Sequence, residues 1–165
     1  MNLMLEGKTA LVTGAARGIG AAIAEALAGE GCAVYLGDVQ GQETEAAARR
    51  IGANAHPLAM NVADAAEVDQ AVRKVLGERN RIDILINNAG ILSYGPMVEA
   101  SIEEWDAVFT VNLRGAFVCS KAVLPAMMKA RYGKIINIAS IAAMNGGGVF
   151  GNVIYGASKA GIVAM

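Results

Sequence analysis

A chain of 165 residues, 55% hydrophobic and 18% charged, is large enough for one compact domain and too apolar to remain disordered. Fourteen Lys and Arg against fifteen Asp and Glu leave a net charge of -1, so no global basic field draws in nucleic acid or an anionic membrane surface. Cys32 and Cys119 stand alone, and the single His56 cannot complete a metal site with them. Both thiols read as small core residues in a reducing cytoplasm, His56 as a strand or loop residue, and no metal is expected. The start MNLMLEGK has no basic region followed by a long apolar core, and no run reaches the ~18 apolar residues of a membrane span. The expectation is a soluble, cytoplasmic protein with neither nucleic acid nor membrane as partner.

Short apolar runs alternate with helical-period segments along residues 1–165, which predicts one α/β domain with a doubly wound parallel sheet. The first strand is expected at Thr9 to Thr13, followed by a helix over Ile19 to Ala28 that stops near Gly31. Further strands are expected at Ala33 to Asp38, His56 to Met60, Ile84 to Asn87 and Lys134 to Ala139. Their runs AVYL, ILIN and IINI do not alternate with polar residues, as befits strands buried on both faces. Asp64 opens a helix whose stripe Val68, Val72, Val75 and Leu76 faces the sheet. A longer helical stretch from Ser101 through Lys129 is expected to divide near Asn112 and bend at Pro125.

Gly14, Gly18 and Gly20 lie in TGAARGIG, between the first strand and the first helix. There they allow a tight turn, close backbone approach to a pyrophosphate and close helix packing. The positive end of the helix dipole then faces the phosphates. Asp38 closes the second strand, where a dinucleotide fold places an acid against the adenosine ribose. That carboxylate favours NAD and repels the extra phosphate of NADP, whereas the guanidinium of Arg17 is the opposing signal. Tyr155 and Lys159, four apart in YGASK, share one helix face, and a fixed cation beside a phenol favours the phenolate. Alcohol oxidation needs a hydride acceptor, a base for the hydroxyl proton and a polar group to orient the oxygen; the chain offers all three. Taken alone, Ser140 reads as a strand-end cap or turn residue and Asn112 as a helix cap.

Together TGAARGIG, NNAG at Asn87 to Gly90, Asn112, Ser140 and Tyr155/Lys159 closely resemble the short-chain dehydrogenase/reductase family across the whole chain. The resemblance implies a Rossmann fold and a nicotinamide cofactor, held by Gly14, Arg17, Gly18, Ile19, Gly20, Asp38, Asn61, Val62, Asn88, Ala89, Gly90, Tyr155 and Lys159. It implies that NNAG steadies the sheet beside the adenine ribose. It makes Tyr155 the general acid/base, with Lys159 easing its deprotonation and holding the nicotinamide ribose. Ser140 would hydrogen-bond the substrate oxygen, and Asn112 would support a water-linked proton relay from Lys159. The expected reaction is reversible NAD-dependent hydride transfer with a small secondary alcohol or ketone. The alternatives are an NADP-dependent 3-oxoacyl-type reductase and a catalytically silent nucleotide-binding fragment.

Three departures from the family pattern bear on this reading. Asn61 stands where the family usually has an acid against adenine, although its amide oxygen can accept the adenine amino hydrogen. The segment MNGGGVFGNVI is slightly longer than is common and reads as a mobile lip, with Met144, Val149, Phe150 and Val153 as candidate substrate walls. The chain ends at Met165, shortly after Lys159, so the family's last strands, its substrate-covering helices and its C-terminal dimer surface are expected to be missing. The expectation is either a fragment of a longer product or a chain whose missing part a partner supplies, with family-type homo-oligomers at full length.

Overall fold

The computed structural model describes residues 4–147 and 152–165. Five parallel strands lie in the order β3-β2-β1-β4-β5: β1 Thr9–Thr13, β2 Ala33–Asp38, β3 Ala55–Ala59, β4 Ile84–Asn87 and β5 Lys134–Asn137. Three of these match the predicted bounds. β3 begins and ends one residue earlier, because the register pairs Val34 with Ala55 and Asp38 with Ala59. β5 stops at Asn137, where its pairing with Asn87 of β4 ends.

In β1, β2 and β4 the predicted absence of alternation has a clear cause, since successive side chains enter two different cores. β5, at the sheet edge, departs from the expected burial on both faces, with Ile136 49% exposed. Leu11, Tyr35, Leu58 and Leu85 face one layer and pack with Val68, Val72, Val75, Cys119 and Val123. Ala10, Val12, Val34, Leu36, Ile84 and Ile86 face the other, against the small residues Ala24, Ala28, Ala47 and Ala48. The second layer is α1 Gly18–Gly29 with α2 Gly41–Ile51. The first contains α3 Ala65–Arg79 and α5 Gly115–Ala130. Asp64 caps α3 as predicted, its carboxylate accepting from the N–H groups of Ala66 and Glu67. Both cysteines are buried, and burial pushes the thiols of Cys32 and Cys119 up to about 11 and about 12, as for inert core residues.

The helix from residue 102 to 130 is not divided at Asn112. Here α4 Ile102–Phe109 runs through a π-helical turn, Thr110–Arg114, into α5, with Gly115 N–H reaching back to the Thr110 carbonyl. One extra residue per turn absorbs the irregularity without breaking the helix. By length and composition this continuous helix is apolar enough to cross a membrane, with a mean hydropathy of 1.3 over its best window. Its inner face, Val108, Ala116, Cys119, Val123 and Met127, is nevertheless buried within the domain.

After β3 the chain returns to pair β4 beside β1, so the connections leave β1 in opposite directions at the C-terminal ends of the strands. Such a switch point opens a crevice. The opposite end of the sheet is pinned by Asp83, whose buried carboxylate accepts from Thr9 N–H at 2.9 Å and Arg81 Nε at 2.7 Å. Asp83→Ala would orphan the buried Thr9 N–H, and is expected to lower unfolding free energy by about 2 kcal/mol. Urea denaturation checks this; an unchanged midpoint would show that water satisfies the Thr9 amide.

Candidate active site

The crevice beyond β1, β2 and β4 is a cleft of about 620 Å³ lined by Gly14, Arg17, Ile19, Asp38, Asn61, Val62, Asn88, Ala89 and Gly90, among others. The glycine loop shapes its floor. A Cβ on Gly14 would lie 2.7 Å from Ala89 Cα, and one on Gly20 only 2.2 Å from the Gly14 carbonyl oxygen, so both positions demand glycine for close packing. Gly18 is left-handed at φ +58, with open space in front of it. No side chain caps α1, and Arg17 at its N-cap position is extended, leaving first-turn N–H groups for an anion. These residues fit a dinucleotide.

Asp38 is held from two sides. Its Oδ2 accepts from Ala16 N–H and its Oδ1 from Gln40 N–H, both at 3.0 Å. The carboxylate is thus fixed at the cleft wall and also braces the glycine loop. Arg17 and Ile19 are exposed at the same wall. The side-chain oxygen of Asn61 accepts from Ala63 N–H at 3.0 Å and closes a local turn. Its second lone pair can still accept from a base.

The NNAG segment ties β4 to the glycine loop. Asn88 Nδ2 donates to the carbonyls of Thr13 at 2.9 Å and Gly14 at 3.0 Å. Thr13 Oγ1 accepts from Asn88 N–H and Ala89 N–H. Asn87 Nδ2 bonds Ser120 Oγ at 3.0 Å and Asn137 Oδ1 at 2.8 Å, joining the sheet to α5. Thr13 drew no role from the sequence; its one signal was a hydroxyl closing the strand TALVT.

Tyr155 and Lys159 lie on α7 Val153–Ala164. Tyr155 is half-buried, and Lys159 is only 4% exposed with Nζ 6.0 Å from the tyrosine ring centre. Lys159 Nζ donates to the Ile138 carbonyl at 2.6 Å, and burial pushes the ammonium below the ordinary lysine value. The cleft reaches this lysine through Gly90, where a Cβ would sit 3.3 Å from Asn112 Oδ1 and 3.7 Å from Lys159 Nζ. Gly90 therefore joins the dinucleotide cleft to the tyrosine–lysine helix.

The side chain of Asn112 makes three hydrogen bonds. Oδ1 accepts from Ile91 N–H at 2.8 Å, while Nδ2 donates to the Ile91 carbonyl and to Ser158 Oγ, each at 3.0 Å. Both amide hydrogens are spent, so this side chain clamps the loop after β4 to α7 and has none left to donate to a relay water. Ser158, fully buried, also donates to the Tyr155 carbonyl at 2.8 Å. It lies inside YGASK but drew no reading from the sequence. Ser140 Oγ accepts from Ala142 N–H at 3.1 Å, the turn-capping role its residue type suggests in isolation. The expected lip begins as the short helix α6 Ala142–Asn145, on which Met144 is exposed, and Val153 is exposed at the start of α7. Val149 and Phe150, with Gly148 and Gly151, lie outside the described residues. Among the described residues no cluster of His, Cys, Asp and Glu is arranged to hold a metal.

A parallel sheet with a glycine-lined crevice at its switch point, bordered by a buried lysine one helical turn from a tyrosine, defines a dinucleotide-binding α/β domain. The chain belongs to the short chain dehydrogenase family, whose model matches residues 8–165. It is 43% identical over 160 residues to the 3-oxoacyl-[acyl-carrier-protein] reductase FabG of Escherichia coli (strain K12), covering 97% of this chain and 65% of that protein. Sorbitol dehydrogenase of Cereibacter sphaeroides is 41% identical over 164 residues, covering 99% of this chain and 63% of the relative. D-threitol dehydrogenase of Mycolicibacterium smegmatis is 44% identical over 164 residues, with 98% and 62% covered. The chain thus spans somewhat under two thirds of the length of these relatives.

Proposed function

We propose that the protein is an NAD-dependent oxidoreductase that interconverts a small secondary alcohol and its ketone. The observation carrying this reading is the junction at Gly90, where the dinucleotide cleft meets buried Lys159 and its helix neighbour Tyr155. A bound nicotinamide would supply the acceptor for the hydride of the alcohol carbon, and the donor in the reverse direction. Tyr155 takes the hydroxyl proton as the carbonyl forms and gives it back in reduction. Lys159 stabilises the resulting phenolate and holds the nicotinamide ribose, while Ser140 Oγ orients the substrate oxygen. The glycine loop and α1 hold the pyrophosphate, with Asn61, Val62, Asn88 and Ala89 around the adenosine half. The relatives named for sorbitol and threitol support an alcohol as substrate. A soluble cytoplasmic enzyme completes the reading, and self-association is supported by exposed apolar Trp105, Phe117, Leu124 and Met128 along α4 and α5.

Asp38 supports NAD, since its two-point anchoring keeps a carboxylate fixed at the cleft wall, where it would repel the extra phosphate of NADP. A second reading, an NADP-dependent 3-oxoacyl-type reductase, is favoured by exposed Arg17 at the same wall and by the name of the E. coli relative. Turnover of a panel of secondary alcohols and 3-oxoacyl thioesters with each cofactor separates the two. No turnover with either would favour a silent nucleotide-binding protein. In the intact protein, Asp38→Ala with Val39→Arg is expected to lower the NAD-to-NADP affinity ratio by at least about tenfold. Some loss of NAD affinity should accompany it, because Ala16 N–H loses its acceptor. A ratio unchanged by calorimetry would show that Asp38 does not select the cofactor.

A further inference from the structure

Asn152 makes more hydrogen bonds than a helix cap requires. It is 8% exposed, and its Oδ1 accepts from the N–H groups of Ile154 at 3.0 Å and Tyr155 at 3.3 Å. Its Nδ2 donates to the Tyr94 carbonyl at 3.3 Å, and its own N–H donates to the Ser93 carbonyl at 2.9 Å. Ser93, itself buried, donates through Oγ to Glu104 Oε1 at 2.7 Å in α4. By contrast, Asp64 caps α3 with the same two local bonds at an exposed site. The surplus bonds of Asn152 run to the loop that follows Gly90.

That loop is stitched to α7 at two points, three residues either side of Tyr155. Asn112 holds Ile91 and reaches Ser158, and Asn152 holds Ser93 and Tyr94 while capping the first turn. We propose that Asn152 is a positioning residue for Tyr155, fixing the phenol relative to the loop between Gly90 and Tyr94 at the end of the dinucleotide cleft. The inference rests on Tyr155 being the proton-transfer group. A misplacement of about 1 Å in such a group costs on the order of a hundredfold in rate, so the surplus bonds have a kinetic consequence.

In the intact protein, Asn152→Ala is expected to lower kcat about 10- to 100-fold, with the dissociation constant for NAD within about twofold of the parent. Asn152→Ser, which can keep the cap oxygen but loses the Tyr94 bond, should fall between the two. Combined with Tyr155→Phe, Asn152→Ala should cause little further loss, because placement matters only while the hydroxyl is present. A merely structural role would add its full effect in that double variant and would overturn the proposal. So would a parental kcat in Asn152→Ala, or in Asn152→Ser if the alanine variant does not fold. Parental activity in Tyr155→Phe alone would instead refute the proposed proton-transfer role, so the two failures are distinguishable.

Discussion

Tyr155→Phe is expected to lower kcat by about 10²- to 10⁴-fold while the dissociation constant for NAD stays within about twofold. The substitution removes one hydroxyl and preserves the ring, which is half-buried on α7. Among the described residues the cleft lining ends at Gly90, Ile91 and Val111 and does not include Tyr155, and Lys159 is anchored to the Ile138 carbonyl. The loss should therefore fall on the chemical step alone. Single-turnover kinetics with a secondary alcohol, beside a binding isotherm for NAD, measures both. A fall of less than about fivefold would remove Tyr155 from proton transfer.

Lys159→Met should damage both quantities, lowering kcat by at least about a hundredfold and weakening NAD binding as well, yet leave the cofactor-free protein no less stable. Among the described residues the buried ammonium has no carboxylate partner, so folding bears a desolvation cost that a methionine of similar length avoids. Against this stand the lost bond to the Ile138 carbonyl and the long contact with the Tyr155 ring at 6.0 Å. The sign of the pH effect follows from the lowered value of Lys159. Stability linked to this group is fully present above the ordinary lysine value of 10.5 and is lost as pH falls through the lowered folded value. The methionine variant should lack that increment. A thermal midpoint several degrees below the parent would show that Lys159 serves the fold, and unimpaired NAD binding would show that it does not touch the cofactor.

The sheet was legible in the sequence because its signals are local. Strand-length apolar runs, Asp64 before its helix and Gly31 after another each act within a few residues of the backbone they shape. The family, the glycine loop and the tyrosine–lysine pair were legible for the same reason, each being a short motif of fixed spacing. The uses of the asparagines were decided by tertiary structure. Asn112 became a clamp within an unbroken helix, and Asn152 joined a cap to a loop 58 residues away in sequence. An amide carries two donors and an acceptor that any neighbour can satisfy, so its residue type says that it will be bonded and not to what. The meeting of cleft and catalytic helix at Gly90 is likewise a matter of packing: no spacing in the sequence encodes the 3.7 Å between a missing Cβ and a lysine 69 residues further on.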